Sequence, residues 1–275
     1  MIANLRFKDK VVLITGGARG IGKNIARGFG FEGAQVVICD IDQEHGRSTE
    51  AEFRHDGIKA DYFTVDLGQR GAPQAMIRQV VEKHGRLDIL VNNARSGIKR
   101  LEMFEEDEET WDLGMSVTLK ATFFASQEAI RFMAKAGGGK IVNIGSVAGL
   151  MICNESPHYH IAKAGLHHMT RYLAEKGGRY RVCVNAVLPG FIVQDEHRER
   201  YDREDNQRYR EVAEFCHPLR QVGTSNDVAR AVMFFSAPDA DFITGQCLVI
   251  DGGLTLQEQS GLVGQFNKRF VDLEK

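Results

Sequence analysis

The chain has 275 residues, 43% hydrophobic and 26% charged, which suits one large α/β domain and excludes a disordered or membrane class. A formal net charge of −2 gives no field for nucleic acid, and no apolar run has the length of a membrane span or signal peptide. The five cysteines are scattered without a C-x-x-C pair, and the nine histidines form no H-E-x-x-H pattern, so reduced thiols in the cytoplasm are expected and a metal site is not.

Short apolar runs alternate with helical patterns from the start, the pattern of βα units around a parallel sheet. Val11 to Ile14 reads as a buried strand, followed by the turn Thr15-Gly16-Gly17-Ala18-Arg19-Gly20-Ile21-Gly22 and a helix from Lys23 to Phe31. Val36 to Cys39 is a second strand ending in Asp40, Asp42 to His55 a polar-faced helix, and Ala60 to Val65 a third strand closing on Asp66-Leu67. A helix from Gln74 to His84 leads to a strand, Leu87 to Val91, that runs into Asn92-Asn93-Ala94-Arg95. One long helix is predicted from Trp111 to Ala134, broken by Gly137-Gly138-Gly139, then a strand from Lys140 to Ile144 that ends at Ser146. A helix spans 158 to about 176, a strand runs from Arg181 to Val187 into Pro189-Gly190, a helix covers 225 to 236, and a seventh strand Cys247 to Ile250 precedes Asp251-Gly252-Gly253. No repeat or linker divides the chain, so a single domain is expected over 1–275.

The strand–turn–helix at 11–31 has the physics of a dinucleotide cradle. Gly16 permits the tight turn, Gly20 lets the backbone approach a pyrophosphate, Gly22 lets helix and sheet pack closely, and the helix N-terminus offers N–H groups to phosphate. Asp40, at the end of the second strand, can accept from both ribose hydroxyls and repels a 2′-phosphate; Arg19 pulls the other way. NAD is therefore expected over NADP, unless Asp40 merely caps the following helix. Farther on, Tyr159 and Lys163 lie one helical turn apart, where an ammonium favours the phenolate and lowers a pKa that is ordinarily about 10. Ser146 can hold a substrate oxygen against that phenol.

In this order and spacing the motifs resemble the short-chain dehydrogenase/reductase family over about residues 7 to 253: the Thr15–Gly22 turn, Asp66, Asn92-Asn93-Ala94, Ser146, Tyr159-x-x-x-Lys163, Pro189-Gly190, and Ile243-Thr244-Gly245-Gln246 before Asp251-Gly252-Gly253. The resemblance implies a doubly wound Rossmann domain with seven parallel strands, assembled as a homodimer or homotetramer. It implies hydride transfer between a nicotinamide and a carbinol carbon of a small-molecule substrate, with Tyr159 moving the proton, Ser146 binding the substrate oxygen and Lys163 tuning the tyrosine. By the same resemblance Asp66 and Leu67 contact adenine, Asn93 lines the groove, Lys163 binds the nicotinamide ribose, and Pro189 and Ile192 lie beside the nicotinamide. Ile21, Ala94 and Gly190 are counted with these cofactor residues.

Two positions depart from the family. Arg95 stands where glycine is usual, which suggests an anionic or strongly polar substrate, unless Arg95 turns to solvent or pairs with an acid such as Glu155. Thr118 stands where asparagine usually supports a water relay to the lysine. Glu155 and Arg95 are candidate substrate contacts beside Ser146, while His158, next to Tyr159, reads as a solvent-facing residue at a helix start unless it contacts substrate. Phe191 to Val222 fits a helical lid; its core, Asp195 to Glu211, carries five arginines and seven acids, so it is no simple anion patch. Tyr201, Tyr209, Phe215 and Leu219 either close over a ligand or pack on the domain. The tail from Leu254 to Lys275 carries Leu262, Val263, Phe266 and Phe270, which dock either on a neighbouring subunit or on their own chain. The substrate expected is a sugar, polyol or hydroxy acid; 3-oxoacyl-thioester reduction and a poorly catalytic NAD-binding regulator are the alternatives.

Overall fold

The first strand, β1 (Val11–Thr15), is buried at all five positions because neither of its faces meets water. Val12 and Ile14 join one hydrophobic cluster while Val11 and Leu13 join another, the period of two expected of a strand with helices on both sides. Each such side chain contributes roughly 1.5–3 kcal/mol when fully buried. We describe a computed structural model over residues 5–97 and 100–271.

The chain continues through α1 (Gly20–Phe31), β2 (Gln35–Asp40), α2 (Gln43–His55), β3 (Ala60–Thr64), α3 (Ala72–His84) and β4 (Ile89–Asn92). After a long connection come α4 (Glu108–Met115), α5 (Ala121–Lys135), β5 (Gly139–Ile144), α6 (Pro157–Gly178) and β6 (Val182–Pro189). The last part holds β7 (Ile192–Val193), α7 (Asp195–Asp202), α8 (Gln207–Phe215), β8 (Gly223–Thr224), α9 (Ser225–Ser236), β9 (Cys247–Ile250) and α10 (Gln259–Phe270). Seven parallel strands form one sheet in the order β3-β2-β1-β4-β5-β6-β9, and β7 pairs with β8 in a small ribbon. The order reverses between β1 and β4, and their carboxyl ends open the crevice where such sheets bind ligands.

The long helix expected at 111–134 is instead two helices joined by a π-helical turn, Ser116–Lys120. It begins early because Asp107 and Thr110 form a reciprocal capping box. A π turn adds one residue to the helical repeat, a single-residue shift too small to divide the helix on periodicity alone. Thr118 lies inside that turn, fully buried, and its hydroxyl has no partner among the described residues.

The lid segment does contain helices, α7 and α8. Phe215 at the end of α8 packs against Phe266 and Phe270 of α10, with centroids 6.0 and 5.3 Å away. The tail thus covers its own chain's lid through those two aromatics, while Val263 is exposed. Tyr201, on α7 of the lid itself, is buried against Val193 and Val222, Tyr209 faces the cleft, and Leu219 is exposed.

Candidate active site

The cleft at the carboxyl ends of the strands has a volume of about 1070 Å³. It is lined by Gly16, Arg19, Ile21, Gly22, Asp40, Asp66, Leu67, Asn93, Ala94, Arg95, Ser146, Glu155, Tyr159, Lys163, Pro189, Gly190 and Ile192. Every candidate site residue except Gly20 therefore opens onto one space. Gly20 differs because its N–H donates to Glu196 Oε1 at 2.6 Å.

The phosphate end of the cleft is shaped by backbone approach. Gly16 has φ +62°, and a Cβ there would lie 2.9 Å from Ala94 Cα; at Gly22 it would lie 2.6 Å from Asn93 Nδ2 and nearer still to Gly16 O. Asn93 fixes this junction, its amide donating to Thr15 O at 3.0 Å and Gly16 O at 2.9 Å. Thr15 Oγ1 accepts from the N–H groups of Asn93 and Ala94 at 2.9 and 3.0 Å. Asp40 accepts from Ala18 N–H at 3.2 Å and Asp42 N–H at 3.1 Å, which holds its carboxylate at the mouth of β2. The cap of α2 is Asp42, which accepts from His45 N–H, so capping does not account for Asp40. Arg19 sits 3.4 Å from Asp42, its guanidinium opposite a carboxylate. Asp66 is bonded by Gly68 N–H at 2.9 Å and Gln69 Nε2 at 3.0 Å. The open glycine turn, the Asp40 carboxylate at the end of β2 and the first turn of α1, which carries no cap or acid of its own, fit a nicotinamide dinucleotide.

At the other end, Pro157 at the first position of α6 and Ser156 before it start the helix that carries Tyr159 and Lys163 on one face. Lys163 is buried; its Nζ donates to Ile144 O at 2.6 Å and lies 5.4 Å from the Tyr159 ring centroid. Burial, aided by the Arg95 charge, lowers the Lys163 pKa to about 7. Tyr159 moves opposite to the expected direction. Burial raises its pKa above the ordinary phenol value, and the Ser146 hydroxyl and Arg95 charge offset this only in part. The lysine effect expected from spacing does not set the direction: loss of water penalises the phenolate, and burial also weakens the lysine's own hold on its proton. Ser146 caps the short turn after β5, accepting from Ala148 N–H at 3.1 Å.

Several neighbours were not legible as site residues. His158 is 3% exposed rather than solvent-facing, and its Nδ1 lies 2.6 Å from Glu106 Oε1, on the loop before α4. That loop is also tied to the α6 side by Leu101 N–H donating to Ser156 Oγ at 2.8 Å and by Arg100 Nη1 donating to Asn154 O at 3.1 Å. Under the sheet ends, Asn92 Nδ2 donates to Asn143 Oδ1 at 2.8 Å, and Asn143 Nδ2 to Thr170 Oγ1 at 2.9 Å. Arg95 is exposed to the cleft with its Cζ 5.8 Å from the Tyr159 ring centroid, and it makes no ion pair with Glu155 or another acid among the described residues. Among the described residues no helix is long and apolar enough to cross a membrane, and no group of three metal-ligating side chains is present.

Residues 16–255 match the family described as enoyl-(acyl carrier protein) reductase. A subunit of the hydroxy(phenyl)methyl-succinyl-CoA dehydrogenase of Thauera aromatica is 38% identical over 90% of this chain and 98% of its own length. A 3-oxoacyl-(acyl-carrier-protein) reductase of Thermotoga maritima is 36% identical over 92% of this chain and 100% of its own. The 7alpha-hydroxysteroid dehydrogenase of Bacteroides fragilis is 32% identical over 91% and 96%. Among solved structures, a short-chain alcohol dehydrogenase from Sinorhizobium meliloti superposes with a TM-score of 0.84 at 30% identity, covering 93% of this chain and 100% of that one. With this sheet order, this cleft and these relatives, the chain belongs to the short-chain dehydrogenase/reductase family and is an NAD(P)-dependent oxidoreductase acting on CH–OH and C=O groups.

Proposed function

We propose that the protein is an NAD-linked dehydrogenase, working in reverse as a ketone reductase, on the secondary alcohol of a small polar molecule such as a sugar, polyol or hydroxy acid. The observation that carries the substrate side is Arg95. A guanidinium beside the Tyr159 ring without an acid partner among the described residues is poised to take a carboxylate or polyol oxygen of the substrate. The preference for NAD rests on Asp40, whose fixed carboxylate accepts ribose hydroxyls and repels a 2′-phosphate.

The cofactor, when bound, supplies the hydride exchange at its nicotinamide ring. Ser146 orients the substrate oxygen by a hydrogen bond, and Tyr159 exchanges the proton with that oxygen. Burial, which raises the Tyr159 pKa, favours the protonated phenol, the form that ketone reduction needs. Lys163, buried behind it, is placed so that a developing phenolate would favour its protonated form, and its charge would in turn stabilise that phenolate.

A second reading, reduction of a 3-oxoacyl thioester, is favoured by the exposed apolar rim of the adjoining 100–104 and 150–156 segments: Met103, Phe104, Leu150, Met151 and Ile152. The Thauera aromatica and Thermotoga maritima relatives, by name, act on acyl thioesters. NADH formation over a panel of hydroxy acids, sugars and polyols, beside NADH and NADPH oxidation with a 3-oxoacyl thioester, separates the two. We expect turnover in the first set, kcat/KM higher with NAD than NADP, and a KM at least ten-fold higher for Arg95→Ala. Turnover confined to the thioester, or NADP equal to NAD, refutes the corresponding part.

A further inference from the structure

The first turn of α1 has no cap of its own. Arg19, at the N-cap, makes no side-chain cap bond, and no acid lies in the first turn. That leaves a positive helix end aimed at the cleft, the place where a dinucleotide's pyrophosphate is received. In this structure the lid fills part of it. Glu196 Oε1 accepts from Gly20 N–H at 2.6 Å, across 176 residues of sequence. The two residues before it are docked on the same turn. Asp195 Oδ2 accepts from Asn24 Nδ2 at 2.9 Å, and a Cβ on Gly20 would lie 3.0 Å from Gln194 Cδ and nearer its Oε1. Gln194 and Glu196 both line the cofactor cleft.

We infer that Glu196 is a built-in competitor of the cofactor's pyrophosphate: its carboxylate holds the lid on the first turn of α1 and must leave before the phosphates can use that turn. Gly20 has one N–H, and a carboxylate beside it stands against an incoming dianion with the same sign of charge. The contact therefore weakens cofactor affinity and holds the lid against the first turn of α1. It acts on cofactor entry and release rather than on proton transfer, and it depends on the dinucleotide site alone, whatever the substrate proves to be.

The test is binding by the full chain, read by NADH fluorescence and by calorimetry for ADP and adenosine. Glu196→Gln removes the charge and Glu196→Ala removes the contact; Glu196 is exposed, so neither change disturbs a packed core. Both are expected to tighten NADH and ADP on the order of ten-fold, the scale of one charge-assisted hydrogen bond, with adenosine unchanged because it has no phosphate. Asn24→Ala, which releases the neighbouring Asp195 contact, should act in the same direction by a smaller factor, and Glu199→Gln elsewhere on α7 should be neutral. NADH affinity unchanged within two-fold, or weakened, in both Glu196 variants overturns the inference. An equal gain for adenosine also overturns it, since that would mean general loosening of the lid.

Discussion

Gly114→Ala in α4 sets two effects of opposite sign against each other. In a helix interior, alanine for glycine ordinarily gains up to about 1 kcal/mol. Here the new Cβ would lie 2.6 Å from His158 Cγ and closer to its Cδ2. The imidazole cannot swing aside freely, because it is buried and held 2.6 Å from Glu106 by its other edge. Overpacking costs about 1–3 kcal/mol, and a displaced His158 leaves a buried carboxylate with a weakened partner, a further loss of about 1–3 kcal/mol. The net expectation is a destabilisation of roughly 3 kcal/mol. Since His158 precedes Tyr159, kcat should also fall by about ten-fold or more, with cofactor Kd little changed. Urea unfolding gives the first quantity and steady-state kinetics the second. Gly178→Ala, at the end of α6, is the control; its Cβ would meet nothing within 4 Å, so stability should hold or rise. A Gly114→Ala protein as stable as the parent would refute the claim that the His158–Glu106 pair is rigid.

Tyr159→Phe should reduce turnover by at least about a thousand-fold while NADH affinity stays within three-fold, measured by single-turnover kinetics and fluorescence titration; unchanged rates would remove Tyr159 from proton transfer. His167, buried with its Nε2 unpartnered among the described residues, has its pKa lowered from 6.5 to about 4 by burial and then by Lys163. The unfolded chain therefore binds the extra proton first, and stability present above pH 6.5 is lost as pH falls toward 4, with a slope of up to about 1.4 kcal/mol per unit. His167→Leu should flatten that loss in urea midpoints between pH 6.5 and 4.5; an unaltered slope would show that another group carries it. For cofactor choice, Asp40→Ser should raise kcat/KM for NADP by about ten-fold or more, and no gain would show that Asp40 is not the discriminating group.

The strands, the glycine turn and the Tyr159–Lys163 helix were legible because each is a local pattern: β-branched runs, a fixed turn chemistry, a four-residue spacing. His158 was misread because its position at the start of α6 usually faces solvent, and its partner Glu106 is 52 residues away. Nothing local announces such a pair, nor the small Gly114 that makes room for it. Glu196 was hidden similarly, inside a run of mixed charge that reads as a solvated helix. The direction of the Tyr159 shift depends on how much water the fold removes, which spacing along a helix does not encode.

The contact of Phe215 with Phe266 and Phe270 has a mechanical meaning. The lid is anchored at its root by the β7–β8 ribbon and at its far end by α10, which Gln257 also ties to Cys216 O. Travel of α7 off the first turn of α1 is therefore travel against a spring whose fixed end is the last helix of the chain. A cleavage between β9 and α10, or a fusion that pries α10 away, would leave the catalytic residues in place and change how stiffly the cofactor gate swings.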